Sequence, residues 1–182
     1  MKIHSRLTSI ATLLTLALST GAESVTSPDG RLIVTVDAEG GIPAYSVSYD
    51  GAEIIRRSPL GFKSNIGDFS SDMTLTGSKS GTVNKSFDQD KLKKSHIDYN
   101  ANTLATTFKN TKGGKMKVEW QVADNDIAFR YIIPAQGESR SMVVESEATG
   151  YRFPEETTVF MTPQSDPMIG WKRTKPSYEE YY

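Results

Sequence analysis

Clusters of turn-forming residues recur at short intervals once the first two dozen residues are passed: SPDG at 27–30, EGG at 39–41, DG at 50–51, SPLG at 58–61, NTKGG at 110–114 and ADND at 123–126. Stops this close leave room for strands of about five or six residues but not for helices of ordinary length. The runs between them alternate with period two. In RLIVTVD, Leu32, Val34 and Val36 fall on one face, and in AYSVSYD so do Tyr45, Val47 and Tyr49. Asp50 and Gly51 tolerate the positive φ angles of a type I′ turn, which predicts a hairpin joining AYSVSY to AEIIR. The same reasoning links TLATTFK (103–109), KMKVEWQV (115–122) and DIAFRYIIP (126–134) into a meander whose last ladder ends at Pro134. SFDQDKLKKS has the residues for one or two helical turns but no continuous apolar stripe. The fold class is therefore all-β, an antiparallel sandwich or barrel. After Ala135 the pattern loosens. RSMVVESEATGYRFP holds one strand, and TTVFMTPQSDPMIGWKRTKPSYEEYY adds a strand and an extended segment rich in Pro, Gly and aromatic residues, a type that serves as a binding surface or packs along something larger.

The chain has 182 residues, enough for one domain with a proper core. With 21 basic and 22 acidic residues and no long block of one sign, it builds no field to attract nucleic acid or an anionic membrane. It has no cysteine, so disulfides, zinc–thiolate sites and cysteine nucleophiles are excluded. Residues 1–22 read as a secretory signal: a basic start (MKIHSR), a short apolar run (LTSIATLLTLAL) and a small-residue end (STGA), with cleavage expected after Ala22. The apolar run falls well short of the roughly 20 residues of a membrane-spanning helix, so no stable span is expected. Export without cysteine fits a bacterial periplasm or secretion. Loss of the leader removes His4 and leaves His96 as the only histidine, which defeats any scheme that needs a histidine pair.

Four stretches carry candidate chemistry. Glu179 and Glu180 stand among Tyr178, Tyr181 and Tyr182; such carboxylates suit calcium or glycosidic cleavage, and an exposed pair at a chain end is otherwise a solvated tail. Glu155 and Glu156 follow a proline, where a turn face is the competing reading. Trp171 in MIGWKR either stacks on a sugar or closes the sandwich end. Arg130, mid-strand among aromatics, needs a carboxylate or carbonyls, and structural pairing is the expected role. There is no phosphate loop, metal-binding histidine pair or GxSxG elbow.

Taken in order, TSPDGRLIVTV, GIPAYSVSYDGAEII, SPLGF, NDIAFRYIIP and FPEETTVFMTPQ leading into PSYEEYY resemble the N-terminal domain of glycoside hydrolase family 97, exported α-glucosidases and α-galactosidases of bacteria. The resemblance spans nearly all of residues 23–182. It implies a β-super-sandwich similar to the galactose mutarotase fold, packed against a catalytic (β/α)8 barrel. It also implies that one glutamate of this domain, in a Glu-x-x-Tyr setting, helps to ligate an active-site calcium. Glu179, with Tyr182 closing the pattern, is the matching residue, and Glu180 is its nearest alternative. VNKSFDQDKLKKSHIDYNANT is the least family-like stretch.

Family members carry several hundred further residues, including the barrel with the catalytic acid and the base or nucleophile. The resemblance therefore implies a truncated, non-catalytic sandwich, incomplete at its C-terminus, with no catalytic residue of its own. It should bind calcium weakly alone, since that ion takes about six to eight oxygens. The complete enzyme would act on an α-linked oligosaccharide. Two rivals from other classes remain: a self-sufficient periplasmic carbohydrate-binding module that stacks sugar on Trp171 and Tyr178, and a structural sandwich with no ligand.

Overall fold

The computed structural model describes residues 21–91, 93, 95–135 and 141–161. Nearly all of the leader expected over 1–22 lies outside them. Two units are distinguished, residues 1–152 and 153–182.

The first unit is built from antiparallel strands. β1 (Glu23–Thr26), β2 (Leu32–Asp37), β3 (Ala44–Tyr49) and β4 (Ala52–Pro59) form one meander in sequence order. β7 (Met73–Asp88), β8 (His96–Asn110), β9 (Lys115–Val122) and β10 (Ile127–Ile132) form a second, and β5 (Phe62–Ser64), β6 (Gly67–Asp68) and β11 (Val144–Glu147) make a small third sheet in the order β11-β5-β6. Among the described residues the only helical element is the single 3₁₀ turn Glu39–Gly41.

The alternation read from the sequence is the alternation that buries the core. β2 buries Leu32, Val34 and Val36, and β9 buries Met116, Val118, Trp120 and Val122. These side chains join Tyr45, Val47, Leu60, Phe62, Phe69, Met73, Leu104 and Phe108 in one apolar cluster between the sheets. A one-residue slip in any of these strands would turn its apolar set to water, so the pattern fixes the register. The Asp50–Gly51 hairpin forms as expected: Tyr49 pairs with Ala52, and the two turn residues have φ of 49° and 80°.

One expectation changes. The stretch SFDQDKLKKS forms no described helical turn; Ser86–Asp88 complete the long strand β7, because β8 supplies a ladder partner as far as the pair Asp88↔His96. The ladder gives these residues backbone partners, whereas a helix without an apolar stripe would have no face to pack against the core. β9 pairs with β8 only over 102–109, so the distal parts of β7 and β8 extend beyond the sheet as a two-stranded ribbon. In the second unit, Pro154 to Thr157 make a turn through a 3.0 Å backbone hydrogen bond and residues 157–161 are in no strand; the rest of the stretch expected to hold one lies outside the described residues.

Candidate functional site

Trp171, Tyr178, Glu179 and Glu180 lie outside the described residues. The other sequence candidates have defined surroundings. Arg130 donates from Nε and Nη2 to Oε2 of Glu119, at 3.0 and 2.8 Å, while Lys117 holds Oε1 at 2.6 Å. The hydrogen bonds from Lys117 and then Arg130 hold the Glu119 carboxyl below the usual carboxylate range. The pairing expected for Arg130 is therefore what the strand neighbours provide, since Arg130 and Glu119 stand opposite each other in the β10–β9 register. His96 lies between Asp88 (2.7 Å) and Asp98 (3.2 Å) on the ribbon. Glu155 and Glu156 occupy the exposed turn of the second unit. Among the described residues, no three His, Asp or Glu side chains are grouped so as to hold a metal ion.

The most heavily determined feature is the last stretch of the first unit, residues 143–152, which is stitched along β4 and β5. Val143 N–H donates to Asn65 Oδ1 and Asn65 N–H returns to Val143 O. After β11 the stitching continues: Ala148 N–H to Gly61 O (2.9 Å), Gly150 N–H to Pro59 O (3.0 Å), Arg152 N–H to the Ser58 hydroxyl (2.8 Å) and Arg56 N–H to Arg152 O (2.7 Å). Ser58 is fully buried, and its hydroxyl, while accepting from Arg152, donates to Arg56 O at 2.7 Å.

Two tyrosines from the sandwich fasten the same stretch by side chain. Tyr131 on β10 accepts the Gly61 amide proton at 2.9 Å and meets the Thr149 hydroxyl at 2.6 Å. Because its oxygen already accepts from Gly61, its own proton is free to go to Thr149. Tyr45 on β3 donates to Gly150 O at 3.2 Å and stacks edge-on to Tyr151. Burial pushes the Tyr45 phenol up to about 12, with Tyr151 and Tyr131 adding to the effect, and burial likewise raises Tyr131. Both phenols are therefore held as neutral donors at any physiological pH.

Gly61 is the pivot of the clasp. Its φ is +110°, and a Cβ placed there would stand 2.2 Å from the carbonyl oxygen of Phe69. The sequence places SPLG at a turn and Tyr45 on one face with Val47 and Tyr49, and does not single out Tyr131. The available signal was a tyrosine among apolar neighbours on the inward face of each of two strands, since a hydroxyl taken out of water must find a partner.

The fold and the clasp define a β-sandwich module with a firmly fixed exit strand. The chain belongs to the glycosyl-hydrolase 97 N-terminal family, whose model matches residues 25–182. A probable retaining alpha-galactosidase from Streptomyces bingchenggensis (strain BCW-1) is 24% identical over 136 residues, covering 72% of this chain and 21% of that protein. The crystal structure of a beta-arabinopyranosidase superposes with a TM-score of 0.81 at 47% identity, over 88% of this chain and 26% of its own. A glycoside hydrolase family 97 enzyme from Pseudoalteromonas sp. strain K8, in complex with panose or with acarbose, gives 0.68 at 25% identity, over 73% of this chain and 20% of its own. The chain thus spans between a fifth and about a quarter of the length of these relatives.

Proposed function

We propose that this chain is the exported, non-catalytic sandwich of a family 97 glycosidase, packing against a catalytic barrel and lending one carboxylate, Glu179, to a calcium site that the barrel completes. Trp171 and Tyr178 are assigned to the sugar-facing side, the substrate being an α-linked oligosaccharide. The single observation that carries the reading is the continuous family match from residue 25 to residue 182, which includes Glu179 and Tyr182. The clasp supports it: a stretch tied down through the backbone of Val143, Ala148, Gly150 and Arg152 is held rigidly, and functional groups need such support. The leader pattern read over residues 1–22 supports a periplasmic or secreted location.

The test has two parts. Reading the DNA that follows the Tyr182 codon should reveal further strands and then a barrel rich in acidic residues; an unrelated gene there would sink the proposal. The chain alone, assayed on aryl α-glucosides, α-galactosides and arabinopyranosides with millimolar calcium, should show no turnover and no calcium-dependent rise in Tm. Turnover by the chain alone, or a calcium Kd in the micromolar range, would overturn the proposed division of labour.

A further inference from the structure

The chain has two Asp–Gly pairs at turns, and they differ in what their reactive atoms touch. An Asp–Gly bond is where a backbone amide most readily attacks a side-chain carboxyl, because glycine leaves the nitrogen unshielded. At Asp29–Gly30 both reactants are engaged. Asp29 Oδ1 accepts from the Ser27 hydroxyl at 2.5 Å and from Arg31 N–H at 3.1 Å, and Gly30 N–H donates to Ser27 O at 3.0 Å. At Asp50–Gly51 only the carboxylate is engaged. Arg31 donates from Nε to Oδ1 at 2.9 Å and from Nη2 to Oδ2, with its guanidinium 4.5 Å from the centre of the Tyr49 ring. Among the described residues the Gly51 amide meets no backbone acceptor, and no atom lies within 4 Å of the point where a Cβ would stand. Asp50 and Gly51 are both exposed and both have positive φ.

We propose that Asp50–Gly51 is a site of spontaneous aspartate-to-isoaspartate conversion, and that Arg31 restrains it. The Gly51 nitrogen attacks Asp50 Cγ; a C–N bond forms, and the carboxyl oxygen leaves as water with the amide proton, closing a five-membered succinimide. Water then adds back at Cγ, restoring aspartate, or at the Asp50 main-chain carbonyl, giving isoaspartate. One water is lost and one gained, nothing is oxidised or reduced, and no co-reactant is needed. Attack requires the neutral carboxyl, since an ionised one repels the nucleophile and has no good leaving group. The bidentate pair with Arg31 holds Asp50 ionised, below the usual carboxylate range, and fixes its oxygens on the guanidinium. Conversion would insert a methylene into a two-residue turn whose register, Tyr49 opposite Ala52, sets β4 and with it the Ser58 and Pro59 contacts of the clasp.

The experiment incubates the full chain at mildly acidic pH and maps isoaspartate by peptide mass spectrometry at both Asp–Gly bonds. Arg31→Gln should accelerate conversion at Asp50 several-fold while Asp29 stays unmodified, and Asp50→Glu should abolish the signal, because the larger ring closes slowly. Wild-type chain in about 1 M salt, where the Debye length is about 3 Å, should also convert faster at Asp50, which checks the ion pair without a mutation. Equal rates at Asp50 with and without Arg31 would overturn the proposal. So would acceleration of the same size at Asp29 and Asp50, the signature of general unfolding.

Discussion

Tyr131 and Thr149 meet hydroxyl to hydroxyl at 2.6 Å across the join between β10 and the stretch that follows β11, while the same phenolic oxygen receives the Gly61 amide proton. Tyr131→Phe removes both contacts and leaves a buried Gly61 N–H without its acceptor. The expected loss is about 1–3 kcal/mol, more than the cost of about 1 kcal/mol for Thr149→Val, which spares the Gly61 contact. Hydrogen exchange at the Ala148 and Gly150 amides should speed up in both variants, with the larger effect in Tyr131→Phe. Equal urea midpoints for the two variants would contradict the arrangement.

Gly61→Ala should be among the most damaging single substitutions in the chain. The added methyl meets backbone, the Phe69 carbonyl at 2.2 Å, and φ of +110° disfavours any L side chain, so neither rotamer change nor a small shift relieves it. A loss on the order of 3–5 kcal/mol is expected by chemical denaturation. Gly51→Ala, which has open space at the Cβ position and a comparable φ, isolates the backbone component and should cost about 1 kcal/mol.

Much of this fold was legible because period-two runs such as Leu32–Val34–Val36 and Met116–Val118–Trp120–Val122 have one way to hide their apolar face. The Asp50–Gly51 turn was legible for an equally local reason. The small sheet was not: β5, β6 and β11 have two to four residues each, and their partnership depends on pairs such as Val144↔Ser64 that join distant parts of the chain. Ser86–Asp88 were obscured by polarity, because a ribbon exposed on much of its surface carries no apolar alternation to read. Arg130 could be matched to a carboxylate in kind, but Glu119 in particular follows from register alone. The clasp needed tertiary knowledge throughout, since nothing local marks Ser58 or Tyr131 as the partner of a backbone group some 94 or 70 residues away.

Alkaline unfolding should be governed in part by Tyr45. The folded chain keeps this phenol protonated up to about 12, whereas an unfolded chain releases the proton near 10. The stabilisation is therefore complete below about pH 10 and is lost progressively as pH rises toward 12. Tyr45→Phe, which gives up the contact to Gly150 O, should be less stable than wild type at neutral pH and should show a shallower loss of stability between about pH 10 and 12. Parallel stability curves for the two proteins over that range would refute the assignment.

Trp120 is fully buried in the aromatic cluster, with ring centroids 5.2 Å from Tyr45 and 4.7 Å from Phe129, and its indole N–H has no acceptor among the described residues. Two terms of opposite sign then decide Trp120→Phe. The smaller ring leaves a void, which costs about 24 cal/mol per Å³ not refilled, but the substitution also deletes a buried donor whose desolvation is worth roughly 1–3 kcal/mol. The terms nearly cancel, so Trp120→Phe should fall within about 1 kcal/mol of wild type, whereas Phe108→Ala, in the same core with no polar atom to remove, should cost about 3–5 kcal/mol. Denaturant midpoints measured side by side decide the matter: if Trp120→Phe is as costly as Phe108→Ala, the indole N–H has a partner in solution and is contributing to stability.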